Sequence, residues 1–342
     1  STKKPKLIPD QLDTFIAMTS DGKVTAFFGK MDMGQGVDVA VSQIVAEELD
    51  VNYERVTTLM GDTLHTVNQG GASGSFGVKW GGKAMRVIAA EARRVLVEEG
   101  AKRLKVDAAT LEVNDGVISV KGNMSKKISY TDILQGNYFN SKLKWNKKLG
   151  NRLYSHGKAK PKAVKDYRVV GKPFPRVDVA GKVFGTSDFV TDVKVPGMVH
   201  ARVIHPTQAG SKLKGYDAAS IKHIKGITVV RKKNFLAVVA DNEWDAIQAA
   251  EAIKVNWSGG GKAPFGDQKD LYDHIRKAPV IKKKNKHKKG NVDKALKKAA
   301  KVLTSEYEFP FQSHASMGPA CAVVDSTATP VMLWTGSQKP HY

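Results

Sequence analysis

Residues 31–37 read Met31-Asp32-Met33-Gly34-Gln35-Gly36-Val37, and no other segment restricts the fold as much. Residues 24–28 before them read as a strand. Residues 38–50 after them place Val41, Ile44, Val45 and Leu49 at the spacing of one helical face. A strand that turns through two glycines into a helix gathers free backbone N–H groups at the positive end of a helix dipole. A phosphate or another anion suits such a place. A plain structural turn has the same pattern, so the function rests on the residues that come after it.

Residues 12–120 extend this beginning into one unit. A second strand at 55–60 ends in Gly61-Asp62-Thr63. The run Gly70-Gly71-Ala72-Ser73-Gly74-Ser75-Phe76-Gly77 precedes a long helix over 82–104, with Met85, Ile88, Ala89, Ala92, Leu96 and Val97 at helical spacing. Asp115-Gly116 marks the turn of a hairpin over 111–120. Ser129 is placed as an N-cap with Asp132 in the capping-box position. A Lys-, Gly-, Asn- and Pro-rich connector follows over 136–175. A second unit covers 176–258, with strands at 198–204, 227–230 and 235–240. Its helix at 242–253 turns Trp244, Ile247, Ala250 and Ile253 to one side, with Trp244 in the core, before a strand at 253–257. Residues 259–290 form a polar linker. A last segment has a short helix to residue 300 and strands at 302–309, 320–324 and 331–335. The mixture is α+β.

The chain has 342 residues, enough for two or three domains of about 100–200 residues each. A hydrophobic share of 41% supports packed cores. No apolar run reaches the roughly 20 residues that span a bilayer, so the chain is not integral to a membrane. Its one cysteine, Cys321, excludes an internal disulfide or a cysteine-held cluster. The net charge of +22 suits either nucleic acid or an acidic partner and an anionic ligand. The lysines are spread widely, and no nucleic-acid motif accompanies them. No nucleic-acid partner is expected.

Spaced motifs point further. Met33-Gly34-Gln35-Gly36 is followed by Ala46-Glu47-Glu48-Leu49, Gly61-Asp62-Thr63 and the small residues 71–75. Next come Gly181-Lys182-Val183-Phe184-Gly185 with Asp192, Pro196-Gly197-Met198, and Val238-Val239-Ala240-Asp241 with Trp244 and Ala246. Pro310 to Pro319 and Trp334-Thr335-Gly336-Ser337-Gln338-Lys339-Pro340 complete the series. This order resembles the molybdopterin-binding large subunit of the xanthine dehydrogenase and aldehyde oxidase family. Within that family it is most similar to the isoquinoline 1-oxidoreductase, nicotinate and aldehyde dehydrogenase branch. The resemblance implies a first molybdopterin-binding segment at 1–140, a connector at 141–175 and a hammerhead-type α+β domain at 176–258. A Lys/Gly-rich linker at 259–290 and the start of a second molybdopterin-binding segment at 291–342 would follow.

It further implies a molybdenum ion on molybdopterin, in the cytosine dinucleotide form, and hydroxylation of an aldehyde or aromatic N-heterocycle with oxygen from water. Implied partners are a small subunit with 2Fe-2S iron–sulfur clusters and a cytochrome c or other electron acceptor. Met33, Gly34, Gln35 and Gly36 match one cofactor-holding stretch, and Ala72, Ser73, Gly74 and Ser75 match a second. Gln338 matches the glutamine that hydrogen-bonds an oxygen ligand of the metal. His314 reads as a packed structural residue. Asp62 and Asp188 read as isolated carboxylates, and His65, His200 and His205 form no metal triad.

Two departures stand out. Gly318 occupies the place of a family glutamate in the Met-Glu-Pro turn. The family's Gly-Gly-Gly-Phe-Gly loop and catalytic glutamate match nothing here. The expectation is therefore a split molybdenum subunit, completed by a second molybdopterin-binding chain that carries the glutamate. Non-catalytic scaffolding or cofactor insertion is the alternative, and a basic nucleic-acid-binding protein a lesser one. The branch often carries a twin-arginine leader, so a periplasmic location is the expectation for a chain that begins at Ser1 without methionine.

Overall fold

In the computed structural model, which describes residues 7–262, 265–284, 287, 289–310, 312, 318 and 320–342, the chain divides into two compact units. Ser1–Val193 and Ala320–Tyr342 form the first, and Lys194–Pro319 the second. The division falls at 193/194 rather than the expected 175/176. The expected last segment, 291–342, is shared between the two units.

The first unit starts from β1 (Ile16–Met18), β2 (Val24–Phe28), α1 (Val37–Leu49) and β3 (Val56–Met60). β1 pairs antiparallel with β2, and β2 runs parallel to β3 with Val24 opposite Val56 and Phe28 opposite Met60. Parallel neighbours require a crossover, and α1 supplies it. α2 (Lys83–Leu104) packs on α1. Phe15, Phe28, Val41, Val45, Leu49, Met85, Ile88, Ala92 and Leu96 close the core between them. Burial of each large side chain contributes about 1.5–3 kcal/mol.

β4 (Leu111–Asn114) and β5 (Val117–Val120) meet at Asp115 and Gly116. Both residues have positive φ, 46° and 73°, as a type I′ turn requires. β6 (Asn123–Ser129) completes that sheet, and Ser129 caps α3 (Tyr130–Leu134) through the capping box with Asp132.

The connector is held by buried acids. Glu47, Glu48 and Glu91 are all at most 2% exposed. Glu91 accepts the N–H groups of Lys158 and Ala159, both at 2.8 Å. Glu48 accepts Lys162 N–H at 3.0 Å, and Glu47 Oε2 accepts those of Arg168, Val169 and Val170 at 2.8, 2.6 and 3.0 Å. Gly157 lies against the Glu91 carboxylate, where a Cβ would overlap it. The short pair β7 (Lys144–Trp145) and β8 (Ser155–His156), with α4 (Val179–Val183), completes this stretch.

In the second unit β9 (His200–Val203) pairs with β12 (Phe235–Ala240), and β12 with β11 (Thr228–Lys232); β10 (Leu213–Asp217) pairs with β13 (Lys254–Trp257). α5 (Glu243–Ala252) covers β12 and β9, capped by Asn242. Its buried face is Ala246, Ala249 and, just beyond it, Ile253. Trp244 is 61% exposed, which corrects its expected place in the core. The small alanines, not the indole, let the helix approach the sheet. The expected linker holds α6 (Leu271–Lys277), and α7 (Val292–Lys298) follows. No strand forms at 302–309, since no neighbour pairs with it among the described residues. β14 (Ala322–Asp325) and β15 (Met332–Thr335) make the closing hairpin, in the first unit. Among the described residues no helix is long and apolar enough to cross a membrane.

Burial alone would raise the pKa of Glu47. The three N–H donors and the Lys162 ammonium outweigh it and hold the carboxyl below its usual value. For Glu91 burial is likewise outweighed, by Arg94 and the Ala159 and Lys158 N–H groups. A depressed carboxyl contributes stability above its unfolded pKa, and that contribution is lost as pH falls through the folded one. Glu47→Ala should cost about 3 kcal/mol at neutral pH and flatten the acid limb of the stability curve. Urea unfolding of wild type and variant at several pH values measures both. Equal acid limbs would contradict the anchoring role.

Candidate functional site

Parallel strands present their carboxyl ends to ligands. Here the ends of β2 and β3 are Gly29-Lys30 and Gly61-Asp62, joined by the Gly61 N–H donating to the Lys30 carbonyl at 3.1 Å. Gln69 lies beside them: its Oε1 accepts the Gly29 N–H at 2.6 Å, and its own N–H reaches the Gly29 carbonyl at 3.3 Å. A Cβ on Gly29 would overlap the Val67 carbonyl, so glycine lets segment 67–69 run against the strand end.

The turn at 31–37 is closed on itself. The Asp32 carboxylate accepts the N–H groups of Gly34 at 2.7 Å, Gln35 at 2.8 Å and Val37 at 2.8 Å. Gln35 folds back so that its Oε1 accepts the Met33 N–H at 2.5 Å. Arg176 donates to the Gly34 carbonyl, and Asp178 binds both Arg176 and Lys182. Burial, with Asp32 and Asp178 nearby, raises the pKa of Asp38. The expectation of free donors at the start of α1 is therefore corrected. A carboxylate from the turn itself already occupies them, and the helix dipole stabilises that charge.

The loop at 70–75 differs. Gly70, Gly74 and Ser75 have φ of 87°, 58° and 60°. Among the described residues, the N–H groups of Ser73, Gly74 and Ser75 donate to no acceptor. All three residues are exposed. Successive unpaired N–H groups in a left-handed turn form an anion-binding concavity. A π-helical turn, Gly77–Gly82, follows the loop and leads into α2, with Trp80 stacked on Phe76 at 5.9 Å between ring centres. Such turns recur at functional sites.

Gln338 meets this loop across 266 positions of sequence. Its carbonyl accepts the Ala72 N–H at 3.0 Å. The Lys339 stem lies over Gly71, where a Cβ would come within 2.7 Å of Lys339 Cγ. The half-buried Gln338 side chain has no hydrogen-bond partner among the described residues. On the other side of the loop stands Lys30, which is 1% exposed. Its Nζ donates to Asn151 Oδ1 at 2.6 Å and to the Gly71 carbonyl at 3.3 Å. Burial lowers its pKa to about 8.

The structure thus brings Ala72, Ser73, Gly74, Ser75 and Gln338 together, while Met33, Gly34, Gln35 and Gly36 form their own capped turn. His314 lies outside the described residues, and Gly318 is exposed. Asp62 is not isolated as expected: its Oδ2 pairs with His65 Nδ1 at 2.6 Å, and its Oδ1 accepts the N–H groups of Leu64 and His65. Lys30 and Asp32 were missed. Their signal was faint: a lysine directly after a buried strand and Gly29, and an aspartate five residues before the first helical N–H it caps.

The molybdopterin cofactor-binding domain family matches residues 2–183, and a second domain of the same description matches residues 274–342. The chain belongs to the molybdopterin cofactor-binding family. A nicotinate dehydrogenase subunit of Pseudomonas putida is 36% identical, over 98% of this chain and 28% of its own length. The membrane-bound aldehyde dehydrogenase (pyrroloquinoline-quinone) of Gluconacetobacter polyoxogenes is 26% identical over 90% of this chain and 40% of its own. The beta subunit of isoquinoline 1-oxidoreductase from Brevundimonas diminuta is 26% identical over 79% and 38%. The chain spans less than half the length of each of these relatives.

The 70–75 loop fits a phosphate-bearing pterin of this family. It offers three unpaired donors, a nearby cation and an uncharged amide, and no carboxylate ion-pairs with Lys30 among the described residues. For the capped turn, Asp32→Ala should cost about 1–2 kcal/mol, the loss of a helix cap. Hydrogen exchange at Gly34, Gln35 and Val37 would then accelerate. Unchanged exchange at those amides would show that Asp32 does not hold them in solution.

Proposed function

We propose that this chain holds molybdopterin, in its cytosine dinucleotide form, within a molybdenum hydroxylase that acts on an aldehyde or an aromatic N-heterocycle. The observation that carries this reading is the set of three unpaired N–H groups at 73–75, tied through one peptide to Gln338. The relatives named for nicotinate, aldehyde and isoquinoline support the substrate classes. When bound, the cofactor supplies the two-electron chemistry that transfers water-derived oxygen to substrate carbon.

The chain's own residues bind and orient. Ser73, Gly74 and Ser75 direct N–H dipoles at a phosphate oxygen without adding charge. The Gln338 amide offers a neutral donor to an oxygen near the metal, which leaves the charge of the centre unchanged. Gln35 reaches a ligand by releasing the Met33 N–H, while Asp32 keeps the turn in shape. The stretch 176–258, which holds β9 to β13, serves as the hammerhead-type domain. A general base is needed to activate water. The reading assigns it to a glutamate on a further polypeptide segment, and electron removal to an iron–sulfur partner with a cytochrome c or other acceptor. A periplasmic setting accompanies this assignment. Gly318, where the family has glutamate, favours the second reading, a non-catalytic scaffold or insertion module.

The purified complex should contain about one molybdenum and roughly four irons, and release a fluorescent pterin on oxidation. Gly74→Val, strained at φ 58°, should lower pterin content several-fold. The 342-residue chain alone should turn over no aldehyde. A complex that contains a quinone and no pterin, or turnover by the chain alone, would contradict the proposal.

A further inference from the structure

Lysine is rarely buried without a carboxylate, because the ammonium loses its hydration. Lys30 is 1% exposed, and its Nζ meets only neutral acceptors among the described residues: the Asn151 amide oxygen and the Gly71 carbonyl. The packing around it is tight. A Cβ on Gly81 would press on the Phe28 ring and come within 3.0 Å of Lys30 Cε. Asn151 is seated as closely, since a Cβ on Gly70 would collide with its side chain and its backbone nitrogen. Gly150 N–H fixes that segment on the Asn68 carbonyl at 2.9 Å. Two neutral acceptors replace the lost hydration without any opposite charge, so the ammonium contributes little net stability there. A costly group held this firmly is a sign of function.

The bond to Gly71 shows what the ammonium does. The Gly71 carbonyl and the Ala72 N–H belong to one peptide unit. Lys30 holds it by the oxygen, and the Gln338 carbonyl holds it by the N–H. The plane of that peptide is thereby fixed from both sides. A charge on the carbonyl side also polarises the unit and strengthens the N–H as a donor. The next three residues are Ser73, Gly74 and Ser75.

We propose that Lys30 is a positioning residue for the cofactor site. Its ammonium locks the Gly71–Ala72 peptide and through it sets both the 73–75 donors and Gln338 for an anionic pterin. This rests on the molybdopterin reading. Lys30 itself lies behind the loop and does not act as a catalytic residue.

The test compares Lys30→Met and Asn151→Asp with wild type in the purified complex. Pterin retained after gel filtration is read by fluorescence, and the melting temperature of the cofactor-free 342-residue chain is read separately. In Lys30→Met the relieved desolvation of the ammonium offsets the two unpaired acceptors, so the melting temperature should stay close to that of wild type, while pterin retention falls about tenfold, the loss of one charge-assisted hydrogen bond. Asn151→Asp keeps the lysine but draws its ammonium to a carboxylate, so retention should fall while the fold is kept. It serves where the methionine variant does not fold. Parallel loss of pterin and melting temperature in both variants would mark a purely structural lysine and overturn the proposal. Wild-type retention in either folded variant would also overturn it and leave the function reading intact. A wild-type complex without pterin would overturn both.

Discussion

One hydrogen bond, from the Ala72 N–H to the Gln338 carbonyl, joins the two parts of the first unit that bear on function. The Lys339 stem over Gly71 and the Thr66–His341 contact at 3.1 Å seat the segment after β15 beside the 70–75 loop. With that hydrogen bond, a loop with three N–H groups unpaired among the described residues and an uncharged amide stand side by side at the carboxyl ends of two parallel strands. The bond is well made because the peptide that donates it is held at its other end by Lys30. The candidate site is therefore a property of a peptide plane more than of any single side chain.

The scaffold behind the site depends on charges placed where water is absent. Glu47, Glu48 and Glu91 convert a lysine-rich connector into part of the core wall by accepting its N–H groups. Asp32 does the same for the turn into α1. Glu47, Glu91 and the half-buried Asp32 each satisfy two or more backbone donors, and Glu48 satisfies one together with Arg86, which offsets the loss of water. The positive balance of the chain is thus used partly inside the first unit, by Arg86, Arg94 and Lys162 against these acids.

Much of this was legible in the sequence. The strand–turn–helix at 24–50, the Asp115-Gly116 hairpin and the Ser129 capping box rest on local rules, and local rules held. The resemblance gave Gln338 and the small-residue loop separate roles toward one cofactor, and their direct contact was illegible from spacing. Other features were hidden because a charged residue reads as a solvated one. Lys30, Glu47 and Glu91 carry no periodic signal that separates a buried, hydrogen-bonded charge from a surface one, and the half-buried Asp32 carries none that marks its turn contacts. Trp244 failed for the converse reason: its spacing matched a core face, but the sheet accepts only the alanines. Residues 302–309 have strand composition and no partner strand among the described residues, and composition alone makes no strand.

The most direct test of the central claim is a structure of the purified assembly at a resolution that shows the cofactor. The account predicts a pterin phosphate within hydrogen-bond distance of the Ser73, Gly74 and Ser75 amides, with the Gln338 amide facing the metal centre. A pterin seated elsewhere, with those three amides turned to solvent, would contradict it.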